Sequence, residues 1–403
     1  MKITHVISGL TAGGAQAMLY KLLSQMDRTA FVSEVISLAD VGPLDKKIRA
    51  LGVPVRVLGM RAGVPNPLGV HRLTRWLRRD PPDLIQTWMY HADLIGGLAA
   101  KLAGGIPVAW NIRHSDLDAN ANKRSTYWTV KACAGLSRWL PTRIVCCAEL
   151  ARRVHTEFGY VGKKIVVIPN GFDLTDFRPD PAARLSVRHE LEIPQEALII
   201  GLVGRFHPQK DHRNFIDAAA RLHSELPKIH FLLCGDDVTP ENTELARWIA
   251  ARGIGERCHL LGQRDDIPRI NAALDVACSS SYTEGFSNSI GEAMACGVPC
   301  VVTDVGDSAL IVGDTGRVVP AKNPRALADA WRELIKMCPE KRSLLGAAAR
   351  RRIGERFSLR AIAQRYEELY EEIAAHAPNI ITHTLSMDKA GRNGCIDESN
   401  NAR

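Results

Sequence analysis

The stretch Ser279-Ser-Ser-Tyr-Thr-Glu-Gly-Phe-Ser-Asn-Ser-Ile-Gly-Glu-Ala-Met-Ala-Cys-Gly-Val-Pro-Cys-Val-Val-Thr303 sets the architecture of this chain. A short apolar run ends near Cys278, a loop of Ser and Gly follows, and a helix begins near Asn288. Gly297-Val-Pro299 stops that helix, and Cys300–Val302 opens another strand. Strand, loop, helix, strand is the repeating unit of a parallel sheet. The loop amides and the positive helix end make an anion site. Glu284 lies in the loop and Glu292 one turn into the helix. A carboxylate only accepts hydrogen bonds, so two of them beside an anion site suit the hydroxyls of a ribose and a sugar. Without that context both would read as solvated acids.

Outward from this stretch the same rhythm fills the chain. Strands are expected at 3–7, 32–38, 53–58, 84–87, 108–111, 143–146 and 165–168, with helices such as 15–26, 44–51, 67–79, 92–103 and 123–140 between them. Pro169-Asn-Gly-Phe-Asp-Leu-Thr-Asp-Phe-Arg-Pro-Asp-Pro181 interrupts the pattern with turn residues. Strands then resume at 197–203, 229–234, 259–261, 276–278 and 300–302. The expected organisation is an α/β chain of two doubly wound, Rossmann-like domains, 1–172 and 173–375. A disordered tail without function is expected at 376–403. Two such domains enclose a cleft at the carboxyl ends of their strands.

The length of 403 residues agrees with two domains, and 46% apolar and 24% charged residues are ordinary for a globular protein. No apolar run is long enough to span a bilayer, and Met1–Ser8 lacks the features of a signal peptide. A cytoplasmic location is therefore expected. Ten cysteines, with no Cys-x-x-Cys pair, read as buried free thiols. The net charge of +8 is uneven: residues 1–172 hold 23 Lys and Arg against 11 Asp and Glu, the remainder 29 against 33. A basic first half points to an anionic partner.

A second motif is Val203-Gly-Arg-Phe-His-Pro-Gln-Lys-Asp211. A strand ends at Gly204, and Arg205 and Lys210 follow at the same sheet edge. Arg can clamp a diphosphate through two bonds, and Lys neutralises it as a point charge. In isolation these would be solvated loop cations. Together, Gly-Arg-x4-Lys-Asp and Glu-x7-Glu followed by Ala-Met-Ala-Cys-Gly-Val-Pro resemble the glycosyltransferase 4 family, which has the GT-B architecture. The resemblance covers about residues 1–375.

That resemblance implies a two-domain fold whose last helix returns to the first domain. It also implies a nucleotide-sugar donor carrying UDP or GDP, retained anomeric configuration and no required cofactor or metal. Arg205 and Lys210 would bind the diphosphate and Glu284 the sugar hydroxyls. Gly285, Phe286 and Ser287 would lie along sugar and phosphate, Glu292 at the ribose, and Gly262-Gln263-Arg264 near the base. Gly9-Leu-Thr-Ala-Gly-Gly-Ala-Gln16 resembles the family's Gly-Gly-Ala-Glu turn, with Gln16 replacing Glu. Gly13 and Gly14 there permit close backbone approach to phosphate or acceptor. In Asn111-Ile-Arg-His-Ser-Asp116, His114 matches a family histidine near the transferred sugar. Asn170-Gly171 matches a family turn and is read mainly as turn chemistry. Glu284, His114, Arg205 and Lys210 are the candidate catalytic residues. Asp116-Leu-Asp118 mimics the metal-binding Asp-x-Asp of a different fold and is not read as a metal site.

Arg72, Arg75 and Arg79 lie along one helical stripe, with Leu73, Trp76 and Leu77 beside it. The 123–131 segment repeats the basic and aromatic mixture. Such a face suits an anionic membrane surface. The alternative is that Leu73, Leu77, Trp128 and Trp139 are core. No nucleic-acid motif is present. The expected function is a retaining hexosyl- or N-acetylhexosaminyltransferase acting on a lipid-linked or polysaccharide-precursor acceptor, as in lipopolysaccharide synthesis, peripheral on the inner membrane face. A GT-B nucleotide-sugar epimerase or hydrolase, and a non-catalytic nucleotide-sugar- or membrane-binding protein, are the rival readings.

Overall fold

The computed structural model describes residues 1–11, 13–39, 41–60, 67–114, 117 and 124–376. Strands β1 (Lys2–Ile7), β2 (Val32–Ser37), β3 (Val55–Val57), β4 (Leu84–Trp88), β5 (Val108–Ile112), β6 (Arg143–Cys146) and β7 (Ile165–Val167) form one sheet, in the order β3-β2-β1-β4-β5-β6-β7. Strands β8 (Ile199–Val203), β9 (His230–Cys234), β10 (Cys258–Leu260), β11 (Val276–Ser279), β12 (Cys300–Thr303) and β13 (Arg317–Val319) form a second, in the order β10-β9-β8-β11-β12-β13. All the pairings are parallel.

Helices on both faces bury these strands, which is why they read as apolar runs and not as alternating ones. β4, β5 and β9 are buried along their full length. Where a polar side chain enters a buried strand, its environment adjusts. His5 accepts a hydrogen bond from Trp88 Nε1 at 3.3 Å, and burial pushes its pKa down to about 3.

Each sheet starts at an inner strand, winds outward, then returns to the other side of that strand. The order reverses between β1 and β4 and between β8 and β11. The crevice outside such a reversal is where an open α/β sheet binds ligand.

The chain crosses between the sheets twice, and the crossings pair with each other. Phe172 N–H donates to Phe357 O at 2.9 Å, and Leu359 N–H to Phe172 O at 2.9 Å. Beyond the second crossing, helix Leu359–Ala375 packs on the first domain, as the family resemblance implied. Its Tyr366 and Tyr370 are fully buried there, and its Glu372 pairs with Arg143 at 2.5 Å.

Helices Glu149–Phe158, Ile267–Ala273 and Ser308–Val312 are additions to the sequence reading, and two further elements differ from it. The turn-rich linker ends in a helix, Pro181–Glu190, capped by Asp180, whose side chain accepts from Ala183 N–H at 2.9 Å. Asp-Pro here is an N-cap followed by the first helical position, not the end of a loop. That helix carries Arg188, whose side chain is fully buried and donates to Asp275 at 3.0 Å. Edge strand β13 was missed because three residues carry almost no periodic signal. Seven of the cysteines described, among them Cys133, Cys278 and Cys300, are buried free thiols; Cys258 is half-buried and Cys338 exposed.

Candidate active site

The loops after β8 and β11 meet at the reversal of the second sheet and are stitched together. Tyr282 N–H donates to Gln209 O at 3.0 Å, and Ser280 Oγ donates to Lys210 O at 2.8 Å. The short turn Pro208–Lys210 ends at Asp211, which takes the left-handed conformation (φ 48°, ψ 54°). Asp tolerates that region better than most residues. It then caps the next helix, accepting from Asn214 N–H at 3.2 Å. This geometry presents the Lys210 ammonium to both oxygens of Glu284, each at 2.9 Å.

A cleft of about 250 Å³ opens over this pair. The second domain lines it with Arg205, Gln209, Lys210, Thr283, Glu284, Gly285, Phe286 and Asn288. The first contributes Gly14, Arg113, His114 and Cys147, and the hinge contributes Asn170. Sequence-predicted Arg205, Lys210, Glu284, Gly285, Phe286, Gly14 and His114 thus share one cavity. Phe286 is a floor residue: it is buried, stacks on Phe172 at 6.0 Å and packs on Phe357 at 5.9 Å. Ser287 is fully buried as the N-cap of helix Asn288–Ala295 and makes no side-chain cap bond. On the opposite wall, Gly14 opens the helix Gly14–Gln25, and a Cβ there would meet nothing within 4 Å. A ligand can therefore approach this backbone closely. Gly13 is exposed and does not line the cleft; a Cβ there would meet Gln16 Oε1 at 2.5 Å.

Glu292 stands apart from Glu284. It is half-buried, and burial raises its carboxyl from the ordinary value to about 7, opposed by the charge of Lys21 from the first domain. Glu292 does not line the cleft, unlike Glu284, which is paired there with Lys210; the Glu292 carboxylate is costly to ionise where it lies. Arg264 is held by Asp266 and Glu190, each at 2.8 Å, and does not line the cleft. Asp116 and Asp118 lie outside the described residues, as does the tail from residue 377. No cluster able to hold a metal ion occurs among the described residues.

Arg113, Asn170 and Asn288 carry no role in the sequence reading beyond a turn at Asn170. In the fold they form a chain. Arg113 donates to Tyr366 Oη at 3.2 Å and to Asn170 Oδ1, and Asn170 Nδ2 donates to Asn288 Oδ1 at 2.7 Å. The first domain, the hinge and the start of the donor-side helix are joined in this way. The one signal available was the position of Arg113, directly before His114 at the end of a strand.

Against known proteins, residues 197–337 match the family described as Glycosyl transferases group 1, and residues 12–176 match Glycosyltransferase Family 4. The chain belongs to these family 4, group 1 glycosyltransferases, and its fold is GT-B. It is similar to the UDP-Gal:α-D-GlcNAc-diphosphoundecaprenol α-1,3-galactosyltransferase of Escherichia coli, 27% identical over 322 residues, 77% of this chain and 81% of that one. It also resembles a D-inositol 3-phosphate glycosyltransferase of Corynebacterium urealyticum, 26% identical over 90% of this chain and 91% of the other. Among solved structures, Anabaena HepE in complex with UDP superposes with a TM-score of 0.79, at 24% identity, over 92% of this chain and all of HepE.

Proposed function

We propose that the protein transfers a sugar, with retained configuration, from a nucleoside diphosphate to an acceptor built on a diphosphate-linked lipid. The observation that carries this is the shared cavity: Arg205, Lys210 and Glu284 of the second domain face a glycine-opened helix start, His114 and Arg113 of the first. Lys210 and Glu284 neutralise each other. An arriving donor exchanges that pair, Lys210 with Arg205 for its diphosphate and Glu284 for its sugar hydroxyls. Glu292 receives the ribose hydroxyls, and Arg264, through its loop, lies toward the base. As the sugar–phosphate bond breaks toward an oxocarbenium-like state, Arg205 and Lys210 hold the departing charge. The leaving phosphate oxygen accepts the acceptor's proton on the same face, so no side chain is assigned as general base. His114 lies beside the transferred sugar.

The acceptor class is supported by the Escherichia coli relative, whose acceptor is a diphosphoundecaprenol-linked sugar. It is also supported by the first domain's surface. Leu73 and Leu77 are core, but Trp128 and Trp139 are 63% and 66% exposed, beside Lys131 and Arg138 respectively. Exposed tryptophans with cations suit an anionic membrane interface. Among the described residues no helix is long and apolar enough to cross a membrane.

The test is a thermal-shift screen of UDP- and GDP-sugars, followed by transfer of labelled sugar from each hit to membrane lipid extract. Label in the organic phase is expected. Free labelled sugar formed without acceptor would support the hydrolase reading instead. Donor binding with no turnover would support the binding-protein reading.

A further inference from the structure

We infer that Asp307 is a latch that closes the two domains and couples closure to the donor loop. Only the nucleotide arm of the test below rests on the donor reading above. The helix Glu149–Phe158 of the first domain begins after Ala148, which has no side chain to cap it. A carboxylate of the second domain takes its first amides. Asp307 Oδ2 accepts from Glu149 N–H at 2.9 Å, and Oδ1 from Leu150 N–H at 3.4 Å. Asp307 also occupies the N-cap position of Ser308–Val312, yet makes no side-chain cap bond to that helix. Its carboxylate is spent across the cleft and is almost fully buried there. Negative charge at a helix start is stabilising, and an uncapped start is not.

The same residue is tied to the donor side. Asp307 N–H donates to Gly285 O at 3.0 Å. Its neighbour Gly306 has φ +56°, and a Cβ there would fall 2.1 Å from Glu284 O. Only glycine fits that contact, so displacement of the backbone at Glu284 and Gly285 carries Asp307 with it. When the domains part, the amides of Glu149 and Leu150 and the carboxylate return to water. The contact therefore favours the closed form alone. A ligand that favours closure and a contact that favours closure reinforce each other by the same factor.

Small-angle scattering and UDP calorimetry on the full chain test the latch. Asp307→Ala is expected to enlarge the radius of gyration and weaken UDP binding about tenfold. Asp307→Asn keeps one acceptor oxygen and is expected to lie between Ala and the native protein. Ala148→Ser leaves the donor domain intact and gives the first-domain helix its own competing cap. It is expected to open the protein in the same direction, and it covers the case in which Asp307→Ala fails to fold. Folded variants of both kinds with native dimensions and native UDP affinity would overturn the latch. If the native protein binds no UDP, the donor reading fails, and the scattering comparison still decides the latch.

Discussion

The two domains share a βα rhythm but furnish their cleft edges differently. On the second domain the ligand-facing loops are bonded to each other, the Lys210–Glu284 pair is formed, and Phe286 is clamped between Phe172 and Phe357. On the first, the cleft wall is two polar side chains, a thiol and an open glycine: Arg113, His114, Cys147 and Gly14. Arg113 donates to the neutral oxygens of Tyr366 and Asn170 and lies over the Trp88 ring at 5.9 Å. The second domain is therefore built in advance for one charged ligand common to a family. The first offers cationic character held by neutral partners, with no formed ion pair at Arg113 among the described residues.

The largest effect should come from the prebuilt pair. Lys210→Ala removes the ammonium proposed to hold the leaving diphosphate, and turnover is expected to fall about 10²–10³-fold, the scale of losing a donor to developing charge. A single-turnover assay with excess acceptor reads this directly. Glu292→Ala, which removes the carboxylate proposed for the ribose hydroxyls, is expected to weaken UDP about 10–100-fold by calorimetry, the worth of charge-assisted bonds. On the acceptor side, Arg113→Ala is expected to raise the acceptor KM about tenfold with donor affinity within about twofold. Equal damage to both substrates would erase the division between the domains.

A smaller effect concerns pH. Burial raises the Glu292 carboxyl from its ordinary value to about 7. On the proposed assignment ribose hydroxyls bind the ionised form, so nucleotide binding should release a proton, and affinity should rise as pH climbs through 7. Glu292→Gln is expected to flatten that rise by a few fold between pH 6 and 8. The folded state holds this proton more tightly than the unfolded chain, so the group costs stability as pH rises from the ordinary carboxylate value through 7. The Gln variant should gain melting temperature at pH 8 relative to pH 5. Least of all, Trp128→Ala with Trp139→Ala should reduce co-sedimentation with anionic vesicles severalfold and leave UDP binding unchanged.

Most of the fold was legible because buried parallel strands and turn residues are local signals. Cys278 to Thr303 declared strand, anion loop, helix and strand in one reading, and both sheets followed. The donor side was legible for the same reason: Arg205, Lys210 and Glu284 sit in short motifs at strand ends. Contacts across the cleft could not be read. Asn170 meets Asn288 from 118 residues away, and Asp307 caps a helix 158 residues earlier. No periodicity reports such pairs. Trp128 and Trp139 were ambiguous for another reason, since an aromatic residue beside a cation fits a core edge as well as an interface.

The division between the domains is tested most directly by UDP calorimetry on two variants measured together, Lys210→Ala and Arg113→Ala. If the second domain alone holds the donor, the first variant loses about 100-fold in affinity and the second stays within about twofold of the native protein. Retained affinity in Lys210→Ala, with a large loss in Arg113→Ala, would contradict it.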